Sequence, residues 1–354
     1  MSEKIITVIV PSYNMEKYLP KCLGSLVVAP ELMERLEVLV VNDGSTDRTS
    51  EIAHGFEARH PGTFQGIDKP NGNYGSCINA ALPVASGKYV KVLDADDWFE
   101  TRHFADYLAF LDGQADADLV VTDYDLVDET GRVMQSFAYG FRKDDSFGID
   151  VVLRGQSELT MHGCTYRTAL LHGLGYRQLE GVSYTDTEWA MIPLLRVRTV
   201  RYFPRVIYKY LSGRAGQTMD PVRLSRSEWM RGRVLLDIVR QFIRYRNETV
   251  ASVREVLEKR ILGGIADFYR RAIFETDGSS VGFDLGRFDS DLKEISEDWY
   301  CKVGEVVYSR WIPCRYVRAW RKNRKIPPLL AFVCRLYTKC VRALKMAKVY
   351  RCGR

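Results

Sequence analysis

The 354-residue sequence lacks several features that mark common protein classes. It has no run of about 18 consecutive apolar residues, so a membrane-spanning helix is not expected. Its eight cysteines form no CxxC pair and are too sparse for a disulfide scaffold, which favours a reducing compartment. Only five histidines occur and none are spaced as HxxxH, so a zinc hydrolase is not supported. Glu3 leads directly into an apolar run, so a secretory signal is not expected either.

Acidic residues are missing from one end of the chain. Residues 306–354 contain fourteen Lys and Arg residues and no Asp or Glu. The rest of the chain therefore holds 37 of the 51 basic residues and all 45 acidic residues. An acidic body is therefore joined to a basic tail. The hydrophobic content of 46% is that of a globular protein, and the length suits two domains or one large domain with an appendage.

Phosphate-binding glycine loops are absent as well. No GxGxxG follows the first apolar run, and GxxxxGK[ST] occurs nowhere. The sequence therefore predicts neither a dinucleotide-binding site nor a P-loop.

The first part of the chain alternates predicted strands and helices. Continuous apolar runs predict strands, and three- and four-residue apolar spacing predicts helices. The strands are expected at 5–10, 36–41, 64–68 and 87–93, and the helices at 16–26, 49–59 and 74–85. Short connections between them predict an α/β fold with a mostly parallel sheet flanked by helices.

Later segments complete two predicted domains. A hairpin at 119–127 and 133–139, a helix at 188–195 and a strand pair at 200–210 are expected to complete the first domain, residues 1–215. Residues 216–354 predict a helical C-terminal region with a basic amphipathic tail. Its helices are expected at 224–246, 250–274 and 329–350.

Three carboxylates follow the fourth predicted strand in the run GKYVKVLDADDWF. Asp94, Asp96 and Asp97 would repel one another unless a cation or solvent separates them. Two interpretations stay open at this point: a solvated acidic turn, or a divalent-metal site at the carboxyl edge of a parallel sheet. Polar residues also follow the first two strands, and all these strand ends are expected to meet in one crevice. They are Ser12, Tyr13, Asn14, Asn42 and Asp43.

Four runs together resemble the family-2 glycosyltransferases of the GT-A fold. They are TVIVPSYNMEKYLPKCLGSL, LEVLVVNDGSTDRTSEIA, NGNYGSCINAAL and KVLDADDW, in this order. The resemblance implies a bacterial, metal-dependent, inverting transfer of a sugar from a nucleotide-diphosphate donor, with UDP as the expected nucleotide. The implied acceptor is a glycan or a lipid-linked intermediate of cell-surface polysaccharide synthesis. One alternative is a nucleotidyltransferase of the same fold, which would need a basic, Gly-rich loop after the first strand, and PSYNMEKYLP is not such a loop. The other is a non-catalytic nucleotide-sugar-binding or scaffold protein on the same fold.

The resemblance also implies roles for single residues. Asp43 would hydrogen-bond the nucleotide base, Asp94 would contact the ribose and the donor sugar, and Asp96 would bind Mn²⁺ or Mg²⁺. Asp97 would contact the acceptor or orient its neighbours from behind the metal. Further implied donor-binding residues are Pro11, Tyr13, Asn14, Asn71 and Ala95.

The motif YTDTEW, residues 184–189, resembles the acidic motif that supplies the family's general base. Thr185 stands where an acid is usual, which leaves Asp186 as the implied base and Glu188 as a possible substitute. Such a carboxylate would take the acceptor hydroxyl's proton opposite the departing diphosphate, as inversion requires. A helix N-cap is the alternative for Asp186. The missing acid is the only support for the non-catalytic alternative.

Two further motifs resemble parts of the family. In SGRAGQTMDP, Arg214 and Gln217 could close over the diphosphate, and a plain connector is the alternative. In MHGCTYRT, His162 would lie on the acceptor side, as an acceptor contact or as a structural histidine.

The tail predicts a basic amphipathic helix, which is typical of contact with anionic lipid. The apolar half would carry Val333, Leu336, Tyr337, Cys340 and Leu344, with Trp311, Tyr316 and Trp320 at the lipid interface. In the alternative, this face packs on its own domain. No nucleic-acid reader motif accompanies the charge, so nucleic acid is not expected. We expect a cytoplasmic protein with peripheral contact to the inner face of the plasma membrane.

Overall fold

The computed structural model describes residues 3–113, 117–141, 147–149, 159–214, 227–275 and 284–352. The chain divides into two compact units, one of residues 1–220 and 241–256, the other of residues 221–240 and 257–354. Within the described ranges, every helix is too short or too polar to cross a membrane.

A ten-stranded mixed sheet forms the centre of the first unit. Its strands follow the order β3-β2-β1-β4-β9-β6-β10-β5, with β7 beside β6 and β8 beside β10. Their bounds are β1 (Ile6–Ser12), β2 (Leu36–Asn42), β3 (Phe64–Asp68), β4 (Tyr89–Val92), β5 (Trp98–Phe99), β6 (Leu119–Val127), β7 (Val133–Phe137), β8 (Phe147–Gly148), β9 (Cys164–Arg167) and β10 (Thr199–Leu211).

The parallel part of the sheet follows from its apolar runs. All seven residues of β1 are buried, as expected for a strand covered on both faces. β1 pairs in parallel with β2 and β4, and β2 pairs in parallel with β3. The carboxyl ends of these strands therefore meet at one edge, where the predicted site residues lie.

Seven helices are described in the first unit. They are α1 (Leu19–Gly24), α2 (Pro30–Met33), α3 (Thr49–Arg59), α4 (Asn73–Ala81), α5 (Thr101–Asp112), α6 (Thr168–Leu174) and α7 (Asp186–Met191). The bounds of α3 match the predicted helix. Helix α5 was not predicted, although its buried residues Phe104, Tyr107, Leu108 and Leu111 have helical spacing.

Two sheet details differ from expectation. The strand pair predicted at 200–210 is wrong, because Thr199–Leu211 forms the single strand β10. Its pairing with β6 shifts register between Phe203 and Val206, where Pro204 cannot donate to the ladder. The short strand β9 was not predicted and runs antiparallel between β4 and β6. It makes the sheet mixed without disturbing the parallel order of β1, β2, β3 and β4.

The C-terminal region is helical, as predicted. Its helices are α8 (Glu228–Tyr245), α9 (Ala251–Phe274), α10 (Leu285–Ile295), α11 (Glu297–Gly304), α12 (Tyr316–Asn323) and α13 (Pro328–Cys352). Within the second unit, the carboxylate of Asp289 is 2% exposed and forms ion pairs with Arg321 at 2.7 Å and Arg324 at 2.9 Å. The Tyr269 hydroxyl also donates to it at 2.6 Å. A buried charge is tolerated here because it is paired and hydrogen-bonded.

Gly87 provides a test of the packing between β1 and the turn before β4. A Cβ at this position would overlap backbone atoms of Ile6 and Thr7, so we expect Gly87→Ala to destabilise the protein by about 1–3 kcal/mol. Gly55, inside α3, has open space around its Cβ position, and Gly55→Ala should stabilise by up to about 1 kcal/mol. Urea unfolding of both variants measures the difference. Equal stabilities would show that the turn has room to move.

Candidate functional site

A cavity of about 220 Å³ lies at the carboxyl edge of the parallel strands. Six of the predicted site residues line it, contributed by segments that are far apart in sequence. They are Pro11, Asp94, Asp96, His162, Asp186 and Arg214. The other lining residues are Met15, Tyr74, Met161, Ser183, Tyr184, Thr185 and Tyr210.

The three acids after β4 form a tight cluster. One carboxylate oxygen from each of Asp94, Asp96 and Asp97 lies within 4.8 Å of the other two. The Tyr74 hydroxyl donates to Asp94 at 2.8 Å. Burial raises the pKa of Asp94 to about 7, and the charge of Asp96 adds to the shift. These contacts do not match the solvated acidic turn that the sequence left open.

Asp97 is the innermost of the three acids, with 1% of its surface exposed. Its Oδ2 accepts from the Tyr208 hydroxyl at 2.7 Å, and its Oδ1 accepts from the Leu211 N–H at 2.7 Å. Burial raises the pKa of Asp97, and the neighbouring acids raise it further. Because both oxygens already hold the end of β10, this placement favours a positioning role.

Arg214 supplies positive charge to the cluster. Its Nε lies 2.5 Å from Oδ2 of Asp96, and each side chain is 13% exposed. The guanidinium also lies 5.2 Å from the centre of the Tyr18 ring. The repulsion within the acidic cluster is thus partly offset by an arginine from the end of β10. Gln217, the other residue predicted in this loop, lies outside the described residues.

The two candidate bases have different surroundings. Asp186 is the first residue of α7 and is exposed toward the cavity. Thr185, not Asp186, occupies the N-cap position, which argues against the capping alternative. Glu188 is 1% exposed, accepts a hydrogen bond from Leu179 N–H at 2.9 Å and does not line the cavity. The geometry therefore favours Asp186 over Glu188.

Backbone strain accompanies this arrangement. Tyr184, just before the cap of α7, has a φ of 72°, a conformation that is costly for a bulky residue. Asn14 and Asn73 also have positive φ, at 53° and 64°. Such strain is characteristic of functional sites, where the surrounding structure enforces it.

Asp43 is 3% exposed and does not line the cavity. Its Oδ1 accepts from Lys69 Nζ at 2.6 Å and from Gly72 N–H at 2.9 Å. Asn71 Nδ2 donates to its main-chain oxygen at 2.9 Å. Since Tyr74 donates to Asp94, residues 71–74 connect the acid after β2 with the acids after β4.

The loops after β1 and β2 are also joined. Asn14 Oδ1 accepts from Thr46 N–H at 2.9 Å, and the Asn14 N–H donates to Ser45 Oγ at 2.9 Å. Tyr13 is 48% exposed beside them, whereas Ala95 is 2% exposed. A planar base could therefore reach Tyr13, whereas Ala95 can offer little more than its backbone.

His162 is enclosed by aromatic rings. Its ring centre lies 5.0 Å from that of Tyr124, 4.5 Å from that of Tyr210 and 4.8 Å from that of Tyr208. Burial lowers the pKa of His162 to about 3, and the charge of Lys91 contributes. The imidazole is therefore neutral near pH 7.

Sequence reasoning missed several residues that shape the site. Lys91 is fully buried in β4 and donates to the His162 carbonyl at 2.7 Å. The alternation of Tyr208 and Tyr210 in VIYKYL was a usable signal, because residues two apart in a strand share a face. No comparable signal marks Lys69 or Tyr74, whose contacts depend on how separate loops meet.

Comparisons with known proteins agree with the motifs. A family model described as Glycosyl transferase family 2 matches residues 7–174. An uncharacterized glycosyltransferase of Mycoplasma pneumoniae, the MG025 homolog, is 41% identical over 102 residues, 28% of this chain and 34% of the relative. Glycosyltransferase GlyA of Streptococcus pneumoniae is 39% identical over 120 residues, 34% of this chain and 16% of the relative. The matches thus span about a third or less of these two relatives.

The crystal structure of S. aureus TarS 1-349 in complex with UDP-GlcNAc has a TM-score of 0.59 and 22% sequence identity to this chain. The match covers 86% of this chain and 82% of that one. This likeness confirms the predicted GT-A fold.

The half-buried imidazole of His162 gives a test by pH. In the unfolded chain His162 would titrate near 6.5, whereas in the folded protein its pKa is about 3. Its contribution to stability is therefore complete above pH 6.5 and is lost as the pH falls. Between pH 7 and pH 5 the free energy of unfolding should drop about 2 kcal/mol more in the wild type than in His162→Phe. Identical pH slopes in urea unfolding would mean that the ring is already accessible to protons.

Proposed function

We propose that this chain, whose residues 7–174 match the family model described as Glycosyl transferase family 2, is a metal-dependent inverting glycosyltransferase. It moves a sugar from a nucleotide-diphosphate donor to a glycan or lipid-linked acceptor in cell-surface polysaccharide synthesis. One observation carries the proposal: Asp94, Asp96 and Asp186 line the same cavity, although more than ninety positions separate the first from the last. The polysaccharide setting rests on the family resemblance.

The acidic cluster fits a hard divalent cation. Carboxylate oxygens are the ligands that Mg²⁺ and Mn²⁺ prefer, and three carboxylates offer an oxygen within 4.8 Å of one another. Asp96 would hold the ion, assisted by Asp94, because both oxygens of Asp97 already accept hydrogen bonds from the protein. When bound, the ion would neutralise charge on the diphosphate leaving group.

Asp186 acts as the general base in this proposal. Its carboxylate accepts the proton of the acceptor hydroxyl, whose oxygen bonds to the anomeric carbon. The bond from that carbon to the diphosphate oxygen breaks on the opposite face, which inverts the configuration. Because Asp186 is exposed toward the cavity, it can meet an incoming acceptor.

Arg214 would exchange partners when a cation and the donor bind. It pairs with Oδ2 of Asp96 at 2.5 Å, so a cation held at that oxygen would displace it. The displaced guanidinium stays near the site and can donate to the phosphate oxygens of the donor. Arg214 would thus stabilise the acidic cluster when no ligand is bound, and the diphosphate when the donor is bound.

The surroundings of Asp43 favour uridine as the donor nucleoside. Among the described residues, hydrogen bonds to this carboxylate all end on Oδ1, which leaves Oδ2 for a single donor. The uracil ring offers one N–H, whereas guanine offers two adjacent donors that call for both carboxylate oxygens. TarS, which shares the fold, was crystallised with UDP-GlcNAc. We propose a UDP donor on this basis.

We propose that the reaction takes place in the cytoplasm, with a lipid-linked acceptor at the inner face of the plasma membrane. The cysteine content supports this setting, because eight scattered cysteines with no CxxC pair are too sparse for a disulfide scaffold.

Removing the base tests the mechanism. Asp186→Asn should bind UDP-sugar as well as the wild type, but its transfer rate should fall by about 10²-fold or more, because the acceptor proton then has no carboxylate to accept it. Glu188→Gln, the matched control, should keep most of the rate. UDP release with a panel of UDP-sugars and glycan acceptors measures both. Near-normal turnover of Asp186→Asn would place the base elsewhere. A wild type that binds UDP with Mn²⁺ but never turns over would favour the non-catalytic alternative.

The cation site is tested by two variants with opposite expected effects. Asp96→Ala should abolish Mn²⁺-dependent UDP binding, because it removes the main ligand. Arg214→Gln should bind Mn²⁺ about tenfold more tightly without nucleotide, because the competing ion pair is gone. Isothermal titration calorimetry with Mn²⁺ alone and with UDP measures both. Weaker Mn²⁺ binding by Arg214→Gln would contradict the exchange, and unchanged UDP affinity of Asp96→Ala would contradict the metal site.

A further inference from the structure

The last described helix carries an apolar stripe that faces solvent. Leu329, Phe332, Val333 and Leu336 of α13 follow the spacing i, i+3, i+4, i+7, which places their side chains on one helix face. Their exposed fractions are 77%, 65%, 41% and 52%. Such spacing normally faces a core. Here the part of the chain that the structure describes leaves the stripe open.

The opposite face of α13 is already packed within the second unit. Cys334 is fully buried, and its carbonyl accepts from the Tyr308 hydroxyl at 2.8 Å. The Tyr337 ring lies 6.1 Å from the ring of Tyr308, and Arg335 Nε donates to the Phe274 carbonyl at 2.9 Å. The helix is held by this face, so the exposed stripe is a second apolar face and not the result of an undocked helix.

This geometry corrects the expected lipid-facing residues. Tyr316 and Trp320 are 2% and 7% exposed, and Tyr337 turns toward Tyr308, so none of these three can be the main apolar contact. Trp311 is 70% exposed, and its place at the lipid interface stays a prediction. The side chain of Leu344 lies outside the described residues.

The charged residues of this segment of the chain all have one sign. Residues 306–354 hold fourteen basic residues and no acidic ones. Lys322, Lys325, Arg335 and Lys339 are exposed on α12, α13 and the segment that joins them. On an anionic membrane, the apolar stripe would contact the acyl chains while the exposed basic side chains contact the anionic head groups.

We propose that α13 docks this protein on an anionic lipid surface, with Leu329, Phe332, Val333 and Leu336 inserted at the head-group boundary. A second copy of the chain is a poorer occupant, because symmetric pairing of this face would bring like charges together. Nucleic acid would engage the charges but gain nothing from the apolar stripe. This docking does not depend on the transferase activity.

Vesicle sedimentation of the full-length protein tests the docking. The vesicles contain phosphatidylcholine alone or in equal parts with phosphatidylglycerol. The wild type should bind only the anionic vesicles, and Phe332→Ser/Leu336→Ser should lower the partition coefficient about tenfold or more. Lys325→Gln/Lys339→Gln should lower it about fivefold per charge at low salt and weaken its salt dependence.

The control is Val133→Ser/Met134→Ser, which removes two apolar side chains that are 45% and 57% exposed on β7 and should bind as the wild type does. All substituted residues are exposed, so urea midpoints should stay close to that of the wild type. Equal binding by Phe332→Ser/Leu336→Ser would overturn the proposal. Failure of the wild type to bind either kind of vesicle would also overturn it. The proposal would fail as well if light scattering showed wild-type dimers that are absent from Phe332→Ser/Leu336→Ser. That last result would identify the face as an interface between copies.

Discussion

The first unit depends on keeping three neighbouring carboxylates together at the end of β4. Asp94 and Asp97 lie beside Asp96, and burial raises the pKa of Asp94 and of Asp97, with the neighbouring acids adding to both shifts. Such an arrangement persists only if donors and cations surround it. They come from α4, from the last residues of β10 and from Arg214, so the helix after β3 and the final strand are both fixed by the same acids.

This constraint separates the roles of the acids. Both carboxylate oxygens of Asp97 accept hydrogen bonds from the end of β10, while Asp96 forms an ion pair with Arg214. In the proposed function, a bound cation would replace this arginine. Asp186 arrives from another segment and stays exposed toward the cavity. The proposed displacement at a sugar carbon requires charge neutralisation on one side and proton acceptance on the other. The acids that would hold a cation and the exposed carboxylate of Asp186 lie at the same cavity.

The second unit follows a different physical rule. Its core hides a paired charge at Asp289, yet α13 leaves four large apolar side chains in water. A helix with one face packed and a second apolar face exposed is stable in the monomer and gains free energy when the second face is covered. The proposed docking on anionic lipid would cover this face and would also pair with the basic residues of 306–354.

The sequence by itself determined the parallel β-α order, the hairpin of β6 and β7, the helical second half and the identities of the acids, because these depend on local periodicity and on residue type. Only the tertiary structure decided the insertion of β9, the single irregular strand β10, the pairing of Arg214 with Asp96 and the separation of Asp186 from Glu188. It also decided which face of α13 is packed. Spacing along a chain shows that a face is apolar, but what covers that face depends on segments whose approach no local pattern records.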